Sequence, residues 1–248
     1  MDPLVNLDWT DKGIVIVTMQ DVTYKNTLSS ELMSKLHNTF DEIKKNEAAK
    51  VIVLKGLDSY FCCGGTKSDL LKLAEGKMTF ADMPIYRLLL DCELPVIAAM
   101  QGHALGGGLA FSAFADLLIM AEESTYASNF LKYGFTPGFG ATYIIPKKFG
   151  PILGPELLYT AQEYEGRDLK ARNTPIRIVK RNDVVMTAMN IANEMSEKPA
   201  ISLKLLKQQL TKTIKDELPH YIEQELAMHK ISFARPEVKE MIEKYFIE

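Results

Sequence analysis

Gly64 and Gly65 in the run YFCCGGTKSDL (residues 60–70), and Gly106, Gly107 and Gly108 in MQGHALGGGLAFSAF (residues 100–114), are the residues best placed to do chemistry. Each run passes from an apolar segment through glycine into residues that suit a helix start. Glycine lets a ligand approach the backbone closely. The N–H groups of a first helical turn have no internal acceptor, and the helix dipole favours negative charge beside them. Two such turns facing one another can hold a single developing oxyanion. A lone glycine triplet also serves as a tight turn or a close helix contact, so the inference rests on the pair. Neither run is a dinucleotide fingerprint or a phosphate loop, because the GxGxxG spacing and the GK[ST] ending are missing.

The titratable side chains near these turns are Lys67, Lys72 and Lys77 after the first, and His103 beside the second, with His220 and His229 further on. The lysines suit solvated helix positions, and His220 follows Pro219 at an expected helix start. His229 stands apart: in EQELAMHKISF it is flanked by Leu226, Met228 and Phe233, where an imidazole titrating near neutrality can serve as acid or base or as a hydrogen-bonded core residue. Four histidines and three cysteines without ligand spacing predict no metal and no other cofactor. Cys62, Cys63 and Cys92 are odd in number, and adjacent cysteines do not readily bridge each other, which fits a reducing, cytoplasmic setting.

The elements that must carry these residues read as alternating strand and helix. Residues 13–19, 51–56, 95–100 and 116–121 are short β-rich apolar runs, and Leu28, Leu32, Leu36, Phe40 and Ile43 recur at helical spacing between the first two. A helix is expected from about Leu105. A parallel sheet with covering helices follows, an α/β fold. Beyond Pro151 the β signal fades, and residues 183–197, 201–215 and 219–234 read as three amphipathic helices. The expected division is a core of residues 1–182 and a C-terminal helical region of residues 183–248. With 248 residues, 47% of them hydrophobic, one large domain can bury a sizeable core. A net charge of -3 gives no basic footprint for a nucleic acid. No apolar run reaches membrane-spanning length and the acidic N-terminus lacks a signal-like segment, so a soluble, cytoplasmic protein is expected.

Nearly end to end, the chain resembles the crotonase, or enoyl-CoA hydratase/isomerase, superfamily. FCCGG resembles that family's F-x-x-G-x turn, PVIAAMQGHALGGG its strand-to-helix segment, YGFTPGFGATYIIPKKFG its proline-glycine loop, and YEGRDLKARNTPIRIV the lead into the C-terminal helices. The resemblance implies a ββα spiral core with a C-terminal helical region that covers the active site or the interface of a homotrimer. It implies that Gly65 and Gly107 donate the two oxyanion N–H groups, and that Lys25 and Asn26 border a groove for pantetheine and nucleotide.

The hydratases of that family place glutamates where this chain has Ala110, three residues after Gly107, and Phe130, eight before Gly138. Hydration needs carboxylates to activate water and move a proton, and neither replacement can. FCCGGT, LDCELPVIAAMQGHALGGG, KYGFTPGFGAT and EQELAMH together resemble the branch that serves polyketide β-branching, often labelled an enoyl-CoA isomerase. That branch implies decarboxylation of 3-methylglutaconyl on an acyl carrier protein to 3-methylcrotonyl, with a catalytic histidine matching His229 and a lysine matched by Lys77 in preference to Lys72. Two alternatives stay open: a hydratase or isomerase using another acid, with Asp69 the nearest spare, and a non-catalytic subunit that binds acyl thioesters.

Overall fold

The computed structural model describes residues 3–246. The chain runs through β1 (Val5–Trp9), β2 (Ile14–Met19), α1 (Ser30–Lys44), β3 (Val51–Lys55), β4 (Tyr60–Cys62), α2 (Lys67–Ala74), α3 (Tyr86–Asp91), β5 (Val96–Met100), β6 (His103–Leu105), α4 (Gly107–Ala113), β7 (Leu117–Ala121) and β8 (Thr125–Ala127). There follow α5 (Ala141–Phe149), α6 (Leu153–Thr160), β9 (Glu163–Glu165), α7 (Gly166–Ala171), β10 (Arg177–Val179), α8 (Arg181–Ser196), α9 (Ala200–Ser232) and α10 (Pro236–Tyr245), with 3₁₀ turns at Phe80–Asp82 and Asn129–Tyr133.

Six strands form a sheet in the order β1-β2-β3-β5-β7-β10, parallel except for β1, and four short strands form a second in the order β4-β6-β8-β9, parallel except for β9. This is the α/β architecture expected. The alternation within β3 shows why its residues are almost all apolar. Ile52 and Leu54 face one core with α1, whereas Val51 and Val53 face a second core with Val184, Ala188 and Ala192 of α8. A strand buried on both faces has no polar side to present. Helix α8 packs against β2, β3, β5, β7 and β10 on that second face. The Ser29 hydroxyl caps α1 at the Leu32 N–H, and Leu32, Leu36, Phe40 and Ile43 form its buried stripe.

Three expectations are corrected. The helices expected at 201–215 and 219–234 are one continuous helix, α9, with Pro219 in its interior. Proline there removes one hydrogen bond and costs about 3 kcal/mol. Buried anchors on both sides of it, Lys207, Leu218, Glu225 and His229, hold the helix together regardless. The helix expected from Leu105 begins at Gly107, after the short strand β6. Strand structure continues past Pro151, in β9 and β10, where three residues are too few to show a period.

Candidate active site

Strands β4 and β6 pair in parallel, Tyr60 with His103 and Cys62 with Ala104, so the two glycine turns leave the small sheet side by side. Gly64 has φ +84, and a Cβ on it would lie 2.9 Å from the Leu105 carbonyl oxygen and 3.2 Å from the Gly107 nitrogen. Only glycine lets the two turns approach this closely. The Thr66 hydroxyl then caps α2 at the Asp69 N–H. Gly65 lies just before that cap and Gly107 is the first residue of α4. Among the described residues neither N–H is used in a hydrogen bond, and both glycines line one cavity of about 570 Å³.

The far wall of that cavity is aromatic: Phe80, Phe130, Tyr133, Phe135, Phe139 and Phe246. Ala110 is fully buried in α4, and Phe130 stands at the wall. Among the described residues Asp69 is the only carboxylate lining the space. It is engaged, with one oxygen accepting from the Thr66 hydroxyl at 2.9 Å and the other paired with Lys72 at 2.8 Å. Cys63 also lines the cavity, but burial pushes its thiol up to about 11, with nearby Lys25 opposing, so it is no thiolate at neutral pH. Lys25 and Lys67 supply positive charge along the lining.

His229 lies one aromatic layer behind the cavity. Its Nε2 sits 3.0 Å from the Thr136 carbonyl oxygen and 2.9 Å from that of Pro137. Two acceptors require a donor, so Nε2 carries the proton and Nδ1 the lone pair. Nδ1 is buried and has no partner among the described residues. Burial lowers the imidazole pKa below its ordinary value, and the two carbonyls oppose that. The Phe80 ring, 4.7 Å from that of His229 and edge-on to Phe139, separates it from the cavity.

Lys77 is exposed and bonded to Glu75 at 2.7 Å, outside the cavity lining, although Phe80 and Met83 of the same connecting segment are part of that lining. Lys72 is likewise turned outward. The Lys25–Asn26 turn has both residues at positive φ. Lys25 borders the cavity, whereas the Asn26 amide is fully buried, accepting from the Asp21 N–H and donating to the carbonyls of Met19, Tyr60 and Phe61. It braces the end of β2 against β4. His103 Nδ1 accepts from the Thr125 N–H, and His220 is exposed against Gln224; neither lines the cavity.

Sequence reasoning passed over three residues. Phe80 lies in a short segment without periodicity. Asn129, which lines the cavity next to Gly106, makes no side-chain hydrogen bond among the described residues, and its only sequence signal was a position beside Phe130. Glu225 was visible within EQELAMH but was read only as part of the frame around His229. Among the described residues no three His, Cys, Asp or Glu gather as a metal site, and no helix is long and apolar enough to cross a membrane.

The enoyl-CoA hydratase/isomerase family model matches residues 10–248. The bacillaene synthase decarboxylase PksI of Bacillus subtilis (strain 168) is 46% identical over 239 residues, covering 96% of each chain. A solved structure from a dehydratase/decarboxylase enzyme couple involved in polyketide β-branching superposes with a TM-score of 0.96 at 46% identity, covering 98% of this chain and 96% of that one. The ECH2 decarboxylase domain of CurF from Lyngbya majuscula superposes with a TM-score of 0.93 at 36% identity, covering 98% and 99%. The chain belongs to the enoyl-CoA hydratase/isomerase, or crotonase, family.

Proposed function

We propose that this chain is a decarboxylase of polyketide β-branching, acting on 3-methylglutaconyl thioester carried on an acyl carrier protein and releasing 3-methylcrotonyl thioester. One observation carries the reading. The cavity keeps both backbone donors of a crotonase but, among the described residues, offers no free carboxylate, because Ala110 and Phe130 stand in the glutamate positions and Asp69 is held by Thr66 and Lys72. Such a site can stabilise an enolate and cannot activate water. The similarity to PksI and to the CurF domain, both called decarboxylases, supports the same reading.

The thioester carbonyl oxygen takes the N–H groups of Gly65 and Gly107. The bond between the γ-carbon and its carboxylate breaks, carbon dioxide leaves, and the electron pair becomes a dienolate whose charge rests on the thioester oxygen. Fixed donors there are typically the largest single contribution to lowering such a barrier. The aromatic wall surrounds the departing carboxylate with apolar groups, which favours its conversion to a neutral molecule. The assignment of Lys77 to that carboxylate and of His229 to the proton requires the segment bearing Lys77 to turn inward from Glu75 and Phe80 to leave the His229 ring. The dienolate then takes a proton at the γ-carbon. With Nε2–H held by two carbonyls, His229 delivers this proton from Nδ1 as an imidazolium, and solvent replaces it. No step calls on a metal or organic cofactor.

Lys25 and Lys67 suit the phosphate of a pantetheine arm entering the cavity. Ile201, Leu205, Leu206 and Leu210 of α9 are each more than half exposed, apolar surface that the neighbouring subunits of a homotrimer would cover. The test is incubation with 3-methylglutaconyl carrier protein and with crotonyl carrier protein, read by intact-protein mass. The expected result is loss of carbon dioxide from the first and no change in the second. Water added to the crotonyl group would restore the hydratase alternative, and two unchanged masses would restore the binding subunit.

A further inference from the structure

Residues 136–142, between the Asn129–Tyr133 turn and the body of α5, are gripped along one face of α9 by three side chains at helical spacing. Ser232 Oγ accepts from the Thr136 N–H at 3.3 Å, and His229 Nε2 donates to the carbonyls of Thr136 and Pro137. Glu225 takes the other end: one carboxylate oxygen accepts from the Gly140 N–H at 2.8 Å, and the other from the Thr142 N–H at 2.9 Å and the Thr142 hydroxyl at 2.6 Å. Glu225 is 1% exposed; burial raises its carboxyl pKa, and the hydrogen bonds from Thr142 and the Gly140 N–H oppose that by favouring the carboxylate. It thereby supplies, from α9, the N-terminal cap that α5 lacks in its own sequence.

The loop so held is strained. Phe139 and Gly140 are consecutive residues at positive φ, +59 and +71, and for phenylalanine that conformation is costly. Strain of this kind persists only where the surroundings over-determine it. The strained residue also touches both halves of the site. Phe139 lines the cavity, and its ring edge would stand 3.0 Å from a Cβ on Gly107. The backbone two residues before it holds the His229 imidazole.

We propose that Glu225 is a positioning residue of the decarboxylation: its carboxylate fixes the loop so that the carbonyls of Thr136 and Pro137 lock His229 as the Nε2–H tautomer and Phe139 lies against Gly107. The inference rests on the reading of His229 as the proton donor. It adds that the imidazole geometry is set from the same helix, one turn away, through the backbone of a different segment.

The experiment compares wild type with Glu225→Ala, Glu225→Gln, Thr142→Val and His229→Ala, using steady-state rates on the carrier-bound substrate and nitrogen NMR of histidine-labelled protein, with His229→Ala identifying the resonances. In wild type His229 should show one tautomer, with a protonated Nε2 and a bare Nδ1. In Glu225→Ala the signature should become mixed, and kcat should fall about 100-fold, the scale of a 1 Å misplacement, with KM within about threefold. Glu225→Gln keeps one accepting oxygen and should recover most of the rate, and Thr142→Val should lose less than Glu225→Ala. A single Nε2–H signature retained in Glu225→Ala, or a kcat within about threefold of wild type, overturns the proposal. If Glu225→Ala does not fold, Thr142→Val is read in its place, and an unmixed Nε2–H signature together with an unchanged kcat in that variant overturns the proposal. Full activity in His229→Ala would remove the proton-donor reading on its own. Glu225 would then stand only if its alanine variant still lost kcat through Phe139 and Gly107.

Discussion

The two walls of the cavity are built by different means. On one side, two turns from adjacent parallel strands present the N–H groups of Gly65 and Gly107, and the fit is enforced by backbone packed on backbone. On the other, a helix more than 90 residues later in the chain brings His229, held through the backbone of a third segment and screened by Phe80 from a fourth. The first wall resists change because any side chain added at Gly64 would meet main-chain atoms. The second is adjustable, since its groups reach the cavity through loops and rings. A fold that keeps the first wall and alters the second can keep enolate stabilisation while changing what happens to the enolate.

The largest effect should come from breaking the rigid wall. A Cβ on Gly65 meets nothing nearer than a Leu70 methyl at 4.0 Å, so Gly65→Ala should leave activity nearly intact. Gly65→Pro, which removes the N–H, should lower kcat about 10³-fold with the fold preserved by circular dichroism. Gly107→Pro should fail similarly, with an added clash against Phe139. Equal rates for the two Gly65 variants would show that this N–H is not an oxyanion donor.

On the adjustable wall, His229→Ala should lower kcat about 10²-fold and spare substrate binding, as expected for the loss of a general acid. Lys77→Ala should act on both constants, lowering kcat/KM about tenfold by loss of a charge partner for the substrate carboxylate. The exposed Lys77–Glu75 pair gives little in return for staying formed. If Lys77→Ala is silent and Lys67→Ala carries the loss, the cation is the one already at the cavity.

The smallest effect is a pH dependence. The donor must be protonated, and burial holds the His229 pKa below its ordinary value of about 6.5. Therefore delivery of the proton to the γ-carbon should slow as pH rises through that lowered pKa, whereas release of carbon dioxide, which precedes it, should not. His229→Ala should erase the difference between the two profiles and Lys77→Ala should not. Superimposable profiles in wild type would count against His229 as the acid.

The difference between the walls also explains what could be read in the sequence. The glycine turns were legible because close backbone approach has few solutions, and each demands glycine at a fixed place. The large sheet was legible for a related reason: Val51 to Leu54 are buried on both faces and so carry no polar residue. The continuity of α9 through Pro219 was not legible, because it depends on anchors at Lys207, Leu218 and Glu225 whose contacts lie far away in sequence. Glu225 itself reads locally as an ordinary acidic helix residue, and only the arrival of Gly140 and Thr142 gives it a task. Lys77 was chosen by motif, and the structure leaves it on the outer side of a segment whose Phe80 faces inward.

One reaction separates loss of carbon dioxide from delivery of the proton, and so tests the division between the walls. Wild type and His229→Ala are allowed one turnover of 3-methylglutaconyl carrier protein in deuterated water, with carbon dioxide release and the deuterium content of the γ-carbon followed separately. In wild type both should proceed together, with one deuterium entering the γ-carbon on a single face. In His229→Ala carbon dioxide should still be released through the Gly65 and Gly107 pocket, while deuterium enters slowly and without facial or positional preference. If His229→Ala instead labels the γ-carbon at the full rate and on the same single face, His229 is a packing residue and the proton comes from elsewhere.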